Sequence, residues 1–247
     1  MFELSARAQD YVERTKQFIQ NEIEPIETDF WHEVHELNQG GDWTKWQWPA
    51  QLETLKAKAK AAGLWNMFLP CPELGQGLSV QEYAHIAELT GRSLLGPTVF
   101  NCNAPDSGNM EVLWRYGSEA QKQEWLTKLL DGKIRSVFCM TEPAVASSDA
   151  TNMQATAVIE GDEIVLNGRK WWSSGLGDPN AKIIIFMAHT PDETKDRHHQ
   201  HSMVLVPVET AGVKIERMLP VFGDYDAPHG HGEISFSNVR VPISNFI

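Results

Sequence analysis

Long apolar runs are missing from this chain of 247 residues, and nothing in it reaches the roughly 18 consecutive apolar residues that a membrane-spanning helix needs. The N-terminus opens on an amphipathic pattern without the apolar block of a signal peptide, so a cytoplasmic location is expected. Cysteine is scarce. Cys71, Cys102 and Cys139 are odd in number and far apart, which argues against both a disulfide framework and a zinc knuckle. Basic residues are outnumbered, 21 Lys and Arg against 33 Asp and Glu, for a net charge of -12. Non-specific nucleic-acid binding needs clustered cations to displace counterions and is disfavoured, although a local basic patch for an anionic ligand is not. Familiar phosphate and nucleophile motifs are absent too. Gly75 and Gly77 are followed by Val80 with no strand before them, which is a flexible turn rather than a dinucleotide fingerprint. Ser147 and Ser148 lack a G-x-S-x-G context, so a nucleophilic hydrolase is disfavoured. His198, His199 and His201 sit in a polar stretch with no cysteine nearby, and they read as a solvated loop rather than metal ligands.

What is present falls into two segments. Ala8, Tyr11, Val12, Phe18 and Ile19 recur at three- and four-residue steps, one face of a helix that Pro25 is expected to end. A Trp-rich connection from Trp31 to Trp48 follows, then a stripe of Leu52, Leu55, Ala59 and Ala62 capped by Gly63. Ser79 with Glu82 and Ser118 with Gln121 both read as capping boxes, the second opening a helix that buries Trp125, Leu126, Leu129 and Leu130 before Gly132. From Ile134 onward the period changes. β-branched and alternating runs at Ser136–Met140, Ala155–Ile159, Glu163–Leu166, Ile183–Met187, Met203–Val208, Val213–Met218 and Gly232–Phe236 predict strands, with Gly161-Asp162 as a tight hairpin. The expected class is α+β: a helical domain over residues 1–134, then an antiparallel, barrel-like β domain over residues 135–247.

Two stretches of the second segment carry chemistry. Phe138 to Asp149 runs from a strand into a turn fixed by Pro143 and presents Ser147, Ser148 and Asp149 on small-residue backbone. Lys170 to Gly175, K-W-W-S-S-G, puts paired indoles and paired hydroxyls at the end of another strand. Trp171 and Trp172 offer a face for a flat ring, and Ser173 and Ser174 a hydroxyl for its edge. Either stretch alone could be a capped turn beside a core aromatic; together they fit a planar cofactor with an anionic tail.

In order and separation these stretches resemble the acyl-CoA dehydrogenase family, whose middle domain carries a T-E-P-x-x-x-S-D-like segment followed by W-[IS]-[ST]. The segment Ala144-Val145-Ala146-Ser147-Ser148 is longer by one residue than the commoner form, which points to a reshaped turn. The resemblance covers essentially the whole chain. It implies FAD, held at its pyrimidine edge and diphosphate by Phe138, Met140, Thr141 and Ser148. Trp172 would pack on the isoalloxazine and Ser174 would donate to flavin N5. It also implies α,β-dehydrogenation of an acyl-CoA thioester, electrons leaving to an electron-transfer flavoprotein, and a homodimer or homotetramer for the full-length protein. Asp226, His229 and His231, in a loop rich in titratable and small residues, are read as a solvated connection or, by the family's order, as polar lining of the acyl-CoA groove suited to a hydroxylated chain. Glu142 is expected to fix its turn rather than act as a base.

Val239-Arg240-Val241-Pro242 and Asn245 look like the segment by which family members leave the β domain for a C-terminal four-helix domain. That domain commonly supplies the catalytic base, and no residue here matches it, so a fragment is expected. The alternative is a catalytically inactive acyl-CoA or flavin-binding module.

Overall fold

A computed structural model describes residues 3–247. The chain divides into two compact units, one of Met1–Leu37 and Gln47–Glu111 and one of Asn38–Trp46 and Val112–Ile247.

The first unit is helical. Helix α1 (Ala6–Phe18) starts where Ser5 accepts a hydrogen bond from the Ala8 N–H, and it does not stop before Pro25. A π turn at Ile19–Ile23 leads directly into α2 (Glu24–Leu37), with the Glu24 N–H reaching back to the Ile19 carbonyl. The expectation that Pro25 ends the helix is therefore corrected. The widened turn takes up the missing donor and the ring's steric demand, so the axis continues. Trp31 accordingly lies inside α2 rather than in a connection. Helix α3 (Gln51–Ala61) buries Leu52, Leu55 and Ala59 and closes on Gly63 at φ +68°, with the Leu64 N–H bonded to the Ala59 carbonyl, a Schellman close. Helix α4 (Val80–Thr90) opens on the Ser79–Glu82 capping box in full, and α5 (Gly96–Val99) is a single turn. Helix α6 (Asp106–Tyr116) carries the chain from one unit into the next.

In the second unit α7 (Glu119–Gln121), capped by Ser118, runs through a π turn into α8 (Thr127–Leu130). Seven strands follow: β1 (Arg135–Cys139), β2 (Thr156–Glu160), β3 (Glu163–Ser174), β4 (Ala181–His189), β5 (His201–Pro207), β6 (Val213–Met218) and β7 (His231–Pro242). They form one curled sheet in the order β1-β4-β2-β3-β7-β6, with β5 paired to β4. Most pairs are antiparallel, as expected, and β2 and β3 are joined by the hairpin at Gly161 (φ +65°). The departures are β1, which runs parallel to β4 in the register Val137 to Ile184, and a single parallel pairing of β2 with β4 at Thr156 and His189. The chain returns to β1's edge only after the β2–β3 hairpin, which acts as the crossover that a helix more often provides. Strands β3 and β7 extend well past the short runs read from the sequence, because β-bulges let the ladder continue across Leu166/Gly168 and Lys170/Ser173. The core of this unit gathers Val137, Cys139, Ile184, Phe186, Ile234 and Phe236 from the inner face of the sheet.

Candidate functional site

The two stretches singled out in the sequence meet at the ends of β1 and β3. The Trp171 N–H donates to the Thr141 carbonyl at 3.0 Å, stitching one to the other just beyond the ladder. Phe138, Met140 and Thr141 are half-buried around this junction.

Beneath it lies a buried ion pair that the sequence reading missed. The Lys170 side chain is 0% exposed and its ammonium donates to the Met140 carbonyl and to Glu142 Oε1, both at 2.9 Å. The Glu142 carboxylate also accepts the Gln154 and Ala155 amides at 2.9 Å each. Four hydrogen bonds thus fix the T-E-P turn against β3 and the entry to β2, the turn-fixing role expected for Glu142. The carboxylate is 4% exposed and committed to three donors, so it has no reach left for a substrate proton. Burial pushes the Lys170 ammonium below its ordinary range, while Glu142 opposes that loss. One signal for Lys170 existed: two-residue alternation from the buried Leu166 carries a lysine to an inward position, where it needs a carboxylate.

The longer turn closes on itself. Ser147 Oγ accepts the Glu142 N–H at 2.8 Å, which spends that hydroxyl on the loop and leaves Ser148 exposed. Of the two serines, Ser148 is the solvent-exposed one. Asp149 binds the Thr151 amide and hydroxyl, and Arg197 reaches Thr151 Oγ1 at 2.6 Å, tying the turn to the polar segment before β5. A cleft of about 540 Å³ opens beside the turn, lined by Glu142, Pro143, Ala144, Gln154, Asn167 and Arg169.

Across the bulge in β3, Trp172 adopts φ +52°, a left-handed conformation unusual for a bulky residue, and its side chain stands 41% exposed. Trp171 packs at 6.1 Å from it, centroid to centroid, while Ser173 turns inward beside the Cys139 thiol. Ser174 is half-buried and its Oγ lies 2.9 Å from His231 Nδ1, a contact set by the β3–β7 register that pairs the two residues. His231 Nε2 lies 3.4 Å from Asp226 Oδ2. The structure thus brings Asp226 and His231 to Ser174. His229 stands apart from that line: its ring is 6.1 Å from His231, edge on, and burial, with Arg135 and His231 adding repulsion, holds its pKa down at about 3. His199 is paired with Asp196, and no cluster of side chains suited to a metal is found among the described residues.

The profile of the acyl-CoA dehydrogenase N-terminal domain matches residues 5–133, and that of the acyl-CoA dehydrogenase middle domain matches residues 137–239. The chain belongs to the acyl-CoA dehydrogenase family. It is 50% identical over 248 residues to acyl-CoA dehydrogenase family member 11 of Gallus gallus, covering 100% of this chain and 31% of that protein. A solved structure assigned to acyl-CoA dehydrogenase in Mycobacterium abscessus superposes with a TM-score of 0.94 at 59% identity, covering 100% of this chain and 61% of that one. The fold alone is shared with a glutaryl-CoA dehydrogenase from Mycobacterium smegmatis in complex with FADH2, at a TM-score of 0.71, 22% identity and coverage of 98% and 55%. This chain therefore spans a third to somewhat under two thirds of the length of these acyl-CoA dehydrogenase relatives.

Proposed function

We propose that this chain forms the cofactor-binding part of an FAD-dependent acyl-CoA dehydrogenase. The observation that carries the reading is the junction itself, in which an exposed indole, a hydroxyl at strand's end and a backbone edge converge. Trp172 offers a flat apolar face, Ser174 a donor near that face, and the Thr141–Ser148 turn exposed backbone and a solvent-exposed hydroxyl. That donor set fits a planar heterocycle with a polar edge and an anionic tail. Phe138, Met140, Thr141 and Ser148 would hold the pyrimidine edge and the diphosphate, Ser147 would keep that turn in shape, Trp172 would pack on the ring and Ser174 would face its N5 edge, with Ser173 packed behind. Bound FAD would supply the hydride acceptor for α,β-dehydrogenation of an acyl-CoA thioester. The chain's own share is orientation, through a rigid turn locked by Lys170 and Glu142, and exclusion of water from the indole's face. Asp226, His229 and His231 would border the thioester groove. We assign the α-proton's base to no residue of this chain, and electron-transfer flavoprotein as acceptor and a homo-oligomeric whole protein belong to the same proposal, as does a domain boundary at 134/135.

Purified protein reconstituted with FAD should retain flavin absorbance through desalting, and anaerobic acyl-CoA should bleach it once the base is supplied. A binding module without turnover is the second reading. It is favoured by one observation: of the site's carboxylates, Glu142 is fully engaged and Asp226 faces His231. Stable flavin binding, with bleaching absent even in a longer chain carrying the base, would decide for that module. Failure to retain FAD at all would remove the flavin reading.

A further inference from the structure

Ser174, His231 and Asp226 lie in a line drawn from the end of β3, the start of β7 and the loop between β6 and β7, the first two joined by a hydrogen bond and the last two within ion-pair distance. The spacings are 2.9 Å from Ser174 Oγ to His231 Nδ1 and 3.4 Å from His231 Nε2 to Asp226 Oδ2. A serine hydroxyl has one proton. Directed at Nδ1, that proton is unavailable to anything else. Where Nδ1 itself carries the proton, His231 becomes the donor and the hydroxyl of Ser174 is released to point elsewhere. The released arrangement needs a second proton between Nε2 and Asp226, because a bare ring nitrogen facing a bare carboxylate would set lone pair against lone pair. Partial desolvation raises the Asp226 carboxyl's hold on a proton, although its side chain is still 59% exposed and a charged His231 opposes the rise.

We propose that His231, seated by Asp226, is a positioning residue that sets the direction of the Ser174 hydroxyl. With one proton more in the His231–Asp226 pair the hydroxyl is freed toward the ring edge of a bound flavin, and with one fewer it turns back to Nδ1. This rests on the flavin reading above and adds a proton-controlled orientation to it. The sign follows from stoichiometry: the outward-donating state holds the extra proton, so it is favoured as pH falls and lost as pH rises. Other groups around the imidazole are accounted for. Asp224 acts on Asp226 through its charge, the half-buried His229 ring stands 6.1 Å away and feels the charge of Arg135, and the indole of Trp172 is 6.3 Å away on β3. Among the described residues Asp226 is the carboxylate within ion-pair reach of the ring.

The test has two arms. In the first, the full chain labelled with 15N-histidine is titrated without flavin, and His231 is assigned by comparison with His231→Gln. The expected result is a change from protonated to unprotonated Nδ1 as pH rises, displaced in Asp226→Asn. An Nδ1 that stays unprotonated throughout overturns the proposal. In the second, the midpoint potential of bound FAD is followed against pH. Wild type should show a proton-linked change of slope in the same pH interval, absent in His231→Gln and displaced in Asp226→Asn, with FAD affinity changed less than threefold. Parallel lines for wild type and variants, with FAD still bound, overturn the role of His231. Loss of FAD from the wild type removes the flavin reading itself, an outcome that the imidazole arm tells apart.

Discussion

The residue on which the site's geometry turns is Lys170, a cation with no water. Its two acceptors and the two amides on Glu142 are what make a buried pair tolerable, since each charge taken from solvent loses several kcal/mol of hydration. Lys170→Met should then cost about 3–5 kcal/mol by leaving Glu142 buried without its cation, and adding Glu142→Gln should recover much of that loss. Urea unfolding of the two variants checks both parts. His229 gives a pH dependence with a definite sign. Its pKa is held at about 3 in the fold and returns to near 6.5 on unfolding. Between those values the unfolded chain binds a proton that the folded chain does not, so this contribution to stability falls as pH drops below about 6.5 and is constant above it. His229→Gln should flatten stability against pH over that window. Neither residue was equally visible in the sequence. The histidine's loop stood out by composition, whereas its desolvation depends on packing that no local pattern encodes, and Lys170 showed only in the two-residue alternation from Leu166.

At the scale of elements, strand alternation and capping signals were readable because each is local. Ser79 with Glu82, Ser118 with Gln121 and the hairpin at Gly161 stand as the sequence implies. What was not readable depends on partners elsewhere. Pro25 is a stop signal by propensity, yet a π turn before it lets the helix pass. The parallel β1–β4 pair, and the joining of the run at 163–166 to the stretch at 170–175 in one strand, rest on which strand lies alongside. Gly168 lies between those two stretches. It sits at φ +155°, and a Cβ there would stand 2.5 Å from Ala155 Cβ and 2.9 Å from Ala155 Cα. Gly168→Ala should destabilise by about 1–3 kcal/mol through overpacking on top of backbone strain. At Gly161, also at positive φ, a Cβ meets nothing within 4 Å, so Gly161→Ala should cost only the backbone term, roughly 1–2 kcal/mol. Thermal unfolding of the pair distinguishes crowding from strain.

For the whole molecule, family membership was legible from two short motifs because they meet at one junction, although their separation in sequence gives no hint of the hydrogen bond that joins Trp171 to Thr141. The roles proposed for the site residues toward a cofactor carry a consequence for the entire fold. A ligand that binds only the folded chain stabilises it by about 2.7 kcal/mol at a hundredfold excess over its Kd. For a chain of this size that corresponds to a rise of roughly 5–11 °C in Tm with saturating FAD, measurable by thermal melts across an FAD series. NADH at the same concentrations, which lacks the tricyclic ring, should not reproduce it.

The most direct measurement is FAD titration of the wild-type chain against Trp172→Ala and Ser174→Ala, followed by flavin fluorescence, with stopped-flow reduction of whatever binds. Loss of the indole should weaken binding by about tenfold or more, the worth of roughly 1.4 kcal/mol of stacking. Loss of the hydroxyl should leave affinity near wild type and raise the barrier to reduction by about 1–3 kcal/mol. Equal and negligible effects from the two substitutions would contradict the placement of the ring at this junction.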